Sequence, residues 1–208
     1  MAPALAAPAI VSAQDAETPD RVATDIRYIL PFTPDGLHPD LTATATAEAG
    51  CIASSTVALG RPDAWSCLTL NPQIHDPCFE NPFLPPAEQS ELACFASPFT
   101  ADVVLVTLTG PLVREKGPAD PVMPDPIPEA GVIGPWDLPW ALELANGDRC
   151  TLLHGTLTVM AGHVIHYGCV DQGMVLGEVD NGQPVWTVHY LAAGDFSSTR
   201  VDVVVAWS

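Results

Sequence analysis

The chain has 208 residues, enough for one large β domain or two small ones, and its 48% apolar content is that of a folded protein rather than a disordered one. Only 15% of residues are charged, and 25 acidic against 7 basic side chains leave a net charge of −18. That charge repels phosphate backbones and anionic headgroups, which excludes nucleic acid and acidic membrane surfaces as partners.

Residues 2–14 are Ala/Pro-rich, and Val11-Ser12-Ala13 carries the small residues a signal peptidase prefers. No basic residue precedes this apolar run, so 1–24 reads as a signal-peptide remnant followed by a flexible acidic leader. Residues 27–32 form a candidate first strand ended by Pro31, and 33–40 read as turn. The Thr/Ala alternation of 41–49 is compatible with helix or strand. Residues 54–59 read as a strand, and 64–68 as a strand or a single helical turn. Six prolines between 72 and 98 argue for a compact loop and against a central strand there. Residues 102–109 are the clearest strand of this half. Residues 25–110 thus form a Cys-rich β subdomain. The stretch 111–139, dense in proline and acid, is a linker or extended surface loop.

Residues 140–208 read as an antiparallel meander. Strand 140–145 runs into Asn146-Gly147, a strong hairpin signal. A second hairpin surrounds Ala161-Gly162, a third surrounds Asp180-Asn181-Gly182, and 201–207 closes the chain. Trp186, Val188 and Tyr190 share one face, as do Val201, Val203, Val205 and Trp207. The predicted fold is all-β: a twisted antiparallel sheet or small barrel with Pro-rich loops. No segment is apolar for long enough to cross a membrane as a helix.

The six cysteines fall into three local pairs, Cys51 with Cys67, Cys78 with Cys94 and Cys150 with Cys169. No CxxC motif or zinc-ligand spacing occurs. Three local disulfides are the simplest pairing, although the spacing leaves others open. A two-residue turn at Ala161-Gly162 would set Cys150 opposite Gly173 rather than Cys169. A disulfide there therefore requires a longer turn or a bulge, at Gly155 or Gly168.

Chemistry-bearing candidates are few. His75 and Asp76 are adjacent and His154 lies nearby in sequence to other imidazoles, which makes these three the candidates for acid–base work. His154, His163, His166 and His189 could meet only if their strands turn them to one side. Asp148, Asp171 and Asp180 sit at turns and offer oxygen ligands to calcium. No serine lies in a nucleophile motif and no cofactor is implied. Trp136 and Trp140 border the Pro-rich stretch and are the candidates for an exposed binding surface, whereas Trp186 and Trp207 are expected in the core.

Two groups of segments carry a resemblance. One is Arg61-Pro62-Asp63-Ala64-Trp65-Ser66-Cys67 with Asp76-Pro77-Cys78-Phe79. The other is Trp140-Ala141-Leu142-Glu143-Leu144-Ala145-Asn146-Gly147-Asp148-Arg149-Cys150 with Tyr167-Gly168-Cys169. They resemble uncharacterised extracytoplasmic proteins of Gram-positive and related bacteria. The resemblance covers residues 50–208 apart from the Pro-rich stretch. It implies export and disulfides and brings no activity. The expected function is a secreted or cell-envelope binding module without catalysis, for a protein or glycan partner. A self-associating structural surface protein and a small His/carboxylate hydrolase are the alternatives.

Overall fold

The computed structural model describes residues 21–59, 61–112, 138–153, 158–160 and 162–208. The chain is all-β, closes into two small barrels and carries three disulfides. The leader through residue 20 and residues 113–137 of the Pro-rich stretch lie outside the described residues.

Strand β1 (Asp25–Arg27) and a short hairpin of β2 (Phe32–Thr33) and β3 (Gly36–Leu37) come first. The first barrel is a meander of β4 (Thr42–Ser54), β5 (Ala64–Thr69), β6 (Ile74–Phe79), β7 (Glu91–Phe95) and β8 (Asp102–Leu108). Successive strands alternate in direction, so the first and fifth run the same way and the ring must close in parallel. It does: Thr42–Ala49 of β4 pairs with β8, while the end of β4 pairs with β5. The Thr/Ala alternation at 42–49 thus resolves as strand. The strand expected at 54–59 is absent, because β4 ends at Ser54 and the following residues turn toward β5.

The largest correction falls on residues 71–98. β6 and β7 are full walls of the barrel, not parts of a loop. Proline is tolerated in β6 because the β5–β6 register shifts between Trp65 and Cys67. Asp76 and Pro77 fall at that irregularity, where no ladder donor is required of Pro77.

The second barrel comprises β9 (Ala141–Leu144), β10 (Arg149–Leu152), β11 (Val159–Met160), β12 (His163–Cys169), β13 (Met174–Asp180), β14 (Thr187–Leu191) and β15 (Thr199–Trp207). Its antiparallel pairings run β9–β10–β12–β13–β14–β15, and β15 returns to β9. β11 extends β12 as a hairpin, and β1 lies parallel to the end of β15. The Asn146-Gly147 turn joins β9 to β10, with Gly147 at φ +90°, where a side chain would be strained.

All three cysteine pairs are bonded, and each joins residues directly opposite on neighbouring strands. The hairpin around Gly162 has the two-residue register near its tip, Met160 opposite His163. Farther down, Cys150 nevertheless faces Cys169. The ladder reaches Leu153 N–H donating to His166 and resumes where Ile165 N–H donates to Thr158. The register therefore changes between Leu153 and Thr158; residues 154–157, among them Gly155, lie outside the described residues. Gly168 stays in simple register with Thr151.

Sulfur fills the first barrel. Its interior holds Ala49, Cys51, Trp65, Cys67, Cys78, Leu92, Cys94 and Val106. One outer wall of the same barrel is also apolar: Ala64, Phe79, Phe95 and Val103 join the core of the second barrel. That is why 92–95 read as continuously apolar and are all buried. Phe95 meets Trp140 edge to face at 6.4 Å between centroids, and Phe99 meets Trp207 at 6.5 Å.

Candidate functional site

The predicted acid–base pair is not assembled. Asp76 accepts hydrogen bonds from the Ser55 hydroxyl and from Thr56 N–H at 2.9 Å and Thr56 Oγ1 at 2.8 Å. Its carboxylate ties β6 to the turn after β4. His75 stands opposite Cys67 on β5. His154 lies outside the described residues, as does Trp136. His163 and His189 are exposed on separate strands. Among the described residues no histidine joins a three-residue ligating cluster.

Trp140 corrects the expectation of an exposed platform. It is only 2% exposed, because the apolar wall of the first barrel covers it. Trp186 lies in the same core, and Trp207 packs against it.

The turn carboxylates separate as well. Asp180 pairs with Arg200, away from the other two. Asp148 is buried. It accepts hydrogen bonds from Arg149 N–H at 2.8 Å, Asp171 N–H at 3.3 Å and the Tyr190 hydroxyl at 2.7 Å. Burial, reinforced by the Asp148 hydrogen bond, pushes the Tyr190 hydroxyl up to about 12. Gly173 makes room for this ring: a Cβ there would lie 2.3 Å from the Tyr190 oxygen. Tyr167 donates to the Pro139 carbonyl at 2.6 Å, and burial raises its hydroxyl further still.

Two surface features were not anticipated. The first is a cleft of about 440 Å³ on the second barrel, lined by Leu153, Met160, Ile165, Cys169 and Met174 among others. Its floor continues into a separate cluster of Ile165, Leu176 and Leu191. The sequence signal was the run Met174-Val175-Leu176, which breaks strand alternation and places apolar side chains on both faces of β13. The second is a strip on the outside of the first barrel. Leu68 and Ile74 are cross-strand partners, 53% and 63% exposed; Ile52, at the register shift in β4, and Leu70, in the turn after β5, are exposed as well.

Compared with family models, curated proteins and solved structures, the chain matches none. The three disulfides belong to an oxidising compartment rather than the reducing cytoplasm. No helix among the described residues is long and apolar enough to cross a membrane.

Proposed function

We propose that the chain is a secreted or cell-envelope binding module that works without catalysis and recognises a protein partner. The observation that carries this reading is the exposed Leu68–Ile74 pair with Ile52 and Leu70. Exposed aliphatic side chains gathered on one side of a domain mark a surface that a partner covers. Asp76, the acid–base candidate on β6, is engaged in holding a turn, as is the buried Asp148. A protein is favoured over a glycan because the strip is aliphatic and Trp140 is buried, which leaves no ring from that residue to stack on a sugar. The resemblance to extracytoplasmic bacterial proteins agrees with the location.

A photocrosslinking amino acid at position 74, in the oxidised chain exported to a bacterial envelope, tests the reading. A discrete protein adduct that Leu68→Asp abolishes supports it. Crosslinks only to a second copy would replace it with self-association. Hydrolysis of ester or glycoside substrates that His75→Ala removes would overturn it.

A further inference from the structure

We propose, resting on the reading of the Leu68–Ile74 strip as a docking surface, that its partner is a basic protein segment, which sets an aliphatic side chain on the strip and a lysine or arginine against Glu48 and Glu91 beside it. The strand register places these groups on one surface. Gly50 of β4 stands opposite Leu68 of β5, and Leu68 stands opposite Ile74 of β6, so the three form a row across the strands. A second row starts two residues back along β4. There Glu48 stands opposite Thr107 of β8, and Thr107 stands opposite Glu91 of β7. Cross-strand partners share a face, and so do residues two apart on one strand. Ala47, Ala49 and Cys51 pack into the barrel interior, which leaves Glu48 and Gly50 on the outside. Accordingly Glu48 and Thr107 are exposed and Glu91 is half-buried. Glu48 is the diagonal neighbour of Leu68, about 7–8 Å away, and Glu91 lies two strand spacings from Glu48, about 10 Å. Gly50 carries no side chain to fill the space beside Leu68. Apart from its chain neighbours, only the Thr109 hydroxyl oxygen comes within 4 Å of where its Cβ would be, at 3.7 Å.

Charge selects the occupant. Residues 42–108 contain seven acidic side chains and a single basic one, Arg61. The Arg61 side chain is 1% exposed and held by Asp63, so it offers the outer surface no cation. Among the described residues neither Glu48 nor Glu91 takes part in an ion pair. A second copy of the chain is a poor supplier of the missing cation. Among the described residues the exposed arginines, Arg21, Arg27, Arg149 and Arg200, each stand within ion-pair distance of a carboxylate of their own chain. Two copies at −18 each also repel one another. A basic partner meets the opposite field: the carboxylates steer it and fix its orientation, and the aliphatic row supplies the apolar burial.

The experiment uses the oxidised full chain and three dye-labelled, serine-rich peptides of equal length, one bearing leucines and lysines, one leucines and glutamates, and one lysines alone. Binding is read by fluorescence anisotropy. The leucine–lysine peptide should bind about tenfold more tightly than either of the others and should weaken as salt is raised. Glu48→Gln combined with Glu91→Gln should lower that affinity about fivefold. Asp102→Asn, at the far end of β8, should leave it in place. Leu68→Ser should weaken both leucine peptides. Equal affinity for the two leucine peptides, lost for both in Leu68→Ser, would overturn the basic partner and leave the docking strip standing. Lysines alone binding as well as leucines with lysines, with no effect of Leu68→Ser, would overturn the strip and the basic partner together. An Asp102→Asn loss as large as that of the Glu48 and Glu91 double variant would refute the two-carboxylate row, as would no measurable binding of the leucine–lysine peptide.

Discussion

Replacing Arg61 by alanine should destabilise the whole chain, because this side chain joins the two barrels. Its guanidinium is 1% exposed and donates to the Ser208 and Ile29 carbonyls, each at 3.0 Å. It also forks onto Asp63, at 2.8 Å to Oδ1 and 2.5 Å to Oδ2. It lies over the rings of Tyr28 at 3.7 Å and Phe79 at 4.4 Å. Alanine removes the donor from the buried Ile29 carbonyl, strips Asp63 of its counter-charge and opens a void between two rings. Losing one member of a buried ion pair costs about 3–5 kcal/mol, and the lost ring contacts add to that rather than offset it. Arg61→Lys should recover only part, since an ammonium cannot fork onto a carboxylate and stack on a ring together. Urea unfolding of the oxidised protein, followed by tryptophan fluorescence, reads the effect as a lowered midpoint. A loss under about 1 kcal/mol would refute the view that Arg61 holds the barrels together.

Tyrosine ionisation offers a check on the cores. Burial raises Tyr28, Tyr167 and Tyr190 above the ordinary value of 10.0, and these are the chain's three tyrosines. Folding favours the neutral phenol, so this stability is intact below pH 10 and is lost as pH rises toward the folded values. Absorbance at 295 nm should show Tyr167 and Tyr190 still protonated at pH 10 and ionising only above it, together with unfolding; either of these two titrating at 10 in the folded chain would contradict the packing. Gly173→Ala, which sets a Cβ 2.3 Å from the Tyr190 oxygen, should cost about 1–3 kcal/mol, and an unchanged thermal midpoint would show that the ring has room to move. Asp76→Ala should cost about 1–3 kcal/mol by removing the acceptor for Ser55 and Thr56. Hydrogen exchange should then quicken at residues 55–58, and unchanged protection there would show that the turn holds without it.

The second barrel is legible in the sequence because its signals are local. Asn146-Gly147 and Asp180-Asn181-Gly182 mark turns, and Trp186, Val188 and Tyr190 all reach the core as their spacing indicates. The first barrel is less legible because its rules are broken locally and repaired at a distance. Pro77 argues against a strand until the register shift opposite it is seen. Trp140 looks exposed beside a Pro-rich stretch until Phe95, far away in sequence, covers it. Arg61 gives no sign of its role because its partners at Ile29 and Ser208 are contributed by distant parts of the chain. The cleft leaves no mark in the sequence for a similar reason. Its walls come from β11, β12, β13 and the end of β10, and no single segment among them looks like a binding motif.

The sulfur-filled interior of the first barrel also bears on fidelity. Cys51 faces Cys67, and Cys78 faces Cys94, at positions whose side chains point inward. A slip of one residue in either pairing would turn one sulfur of the pair outward. The bond could not then close within the barrel. Each disulfide is therefore a checksum on the alignment of two strands: oxidation seals only the arrangement in which both neighbours are already correctly aligned. The cysteines that supply the core volume thus also select which fold receives it.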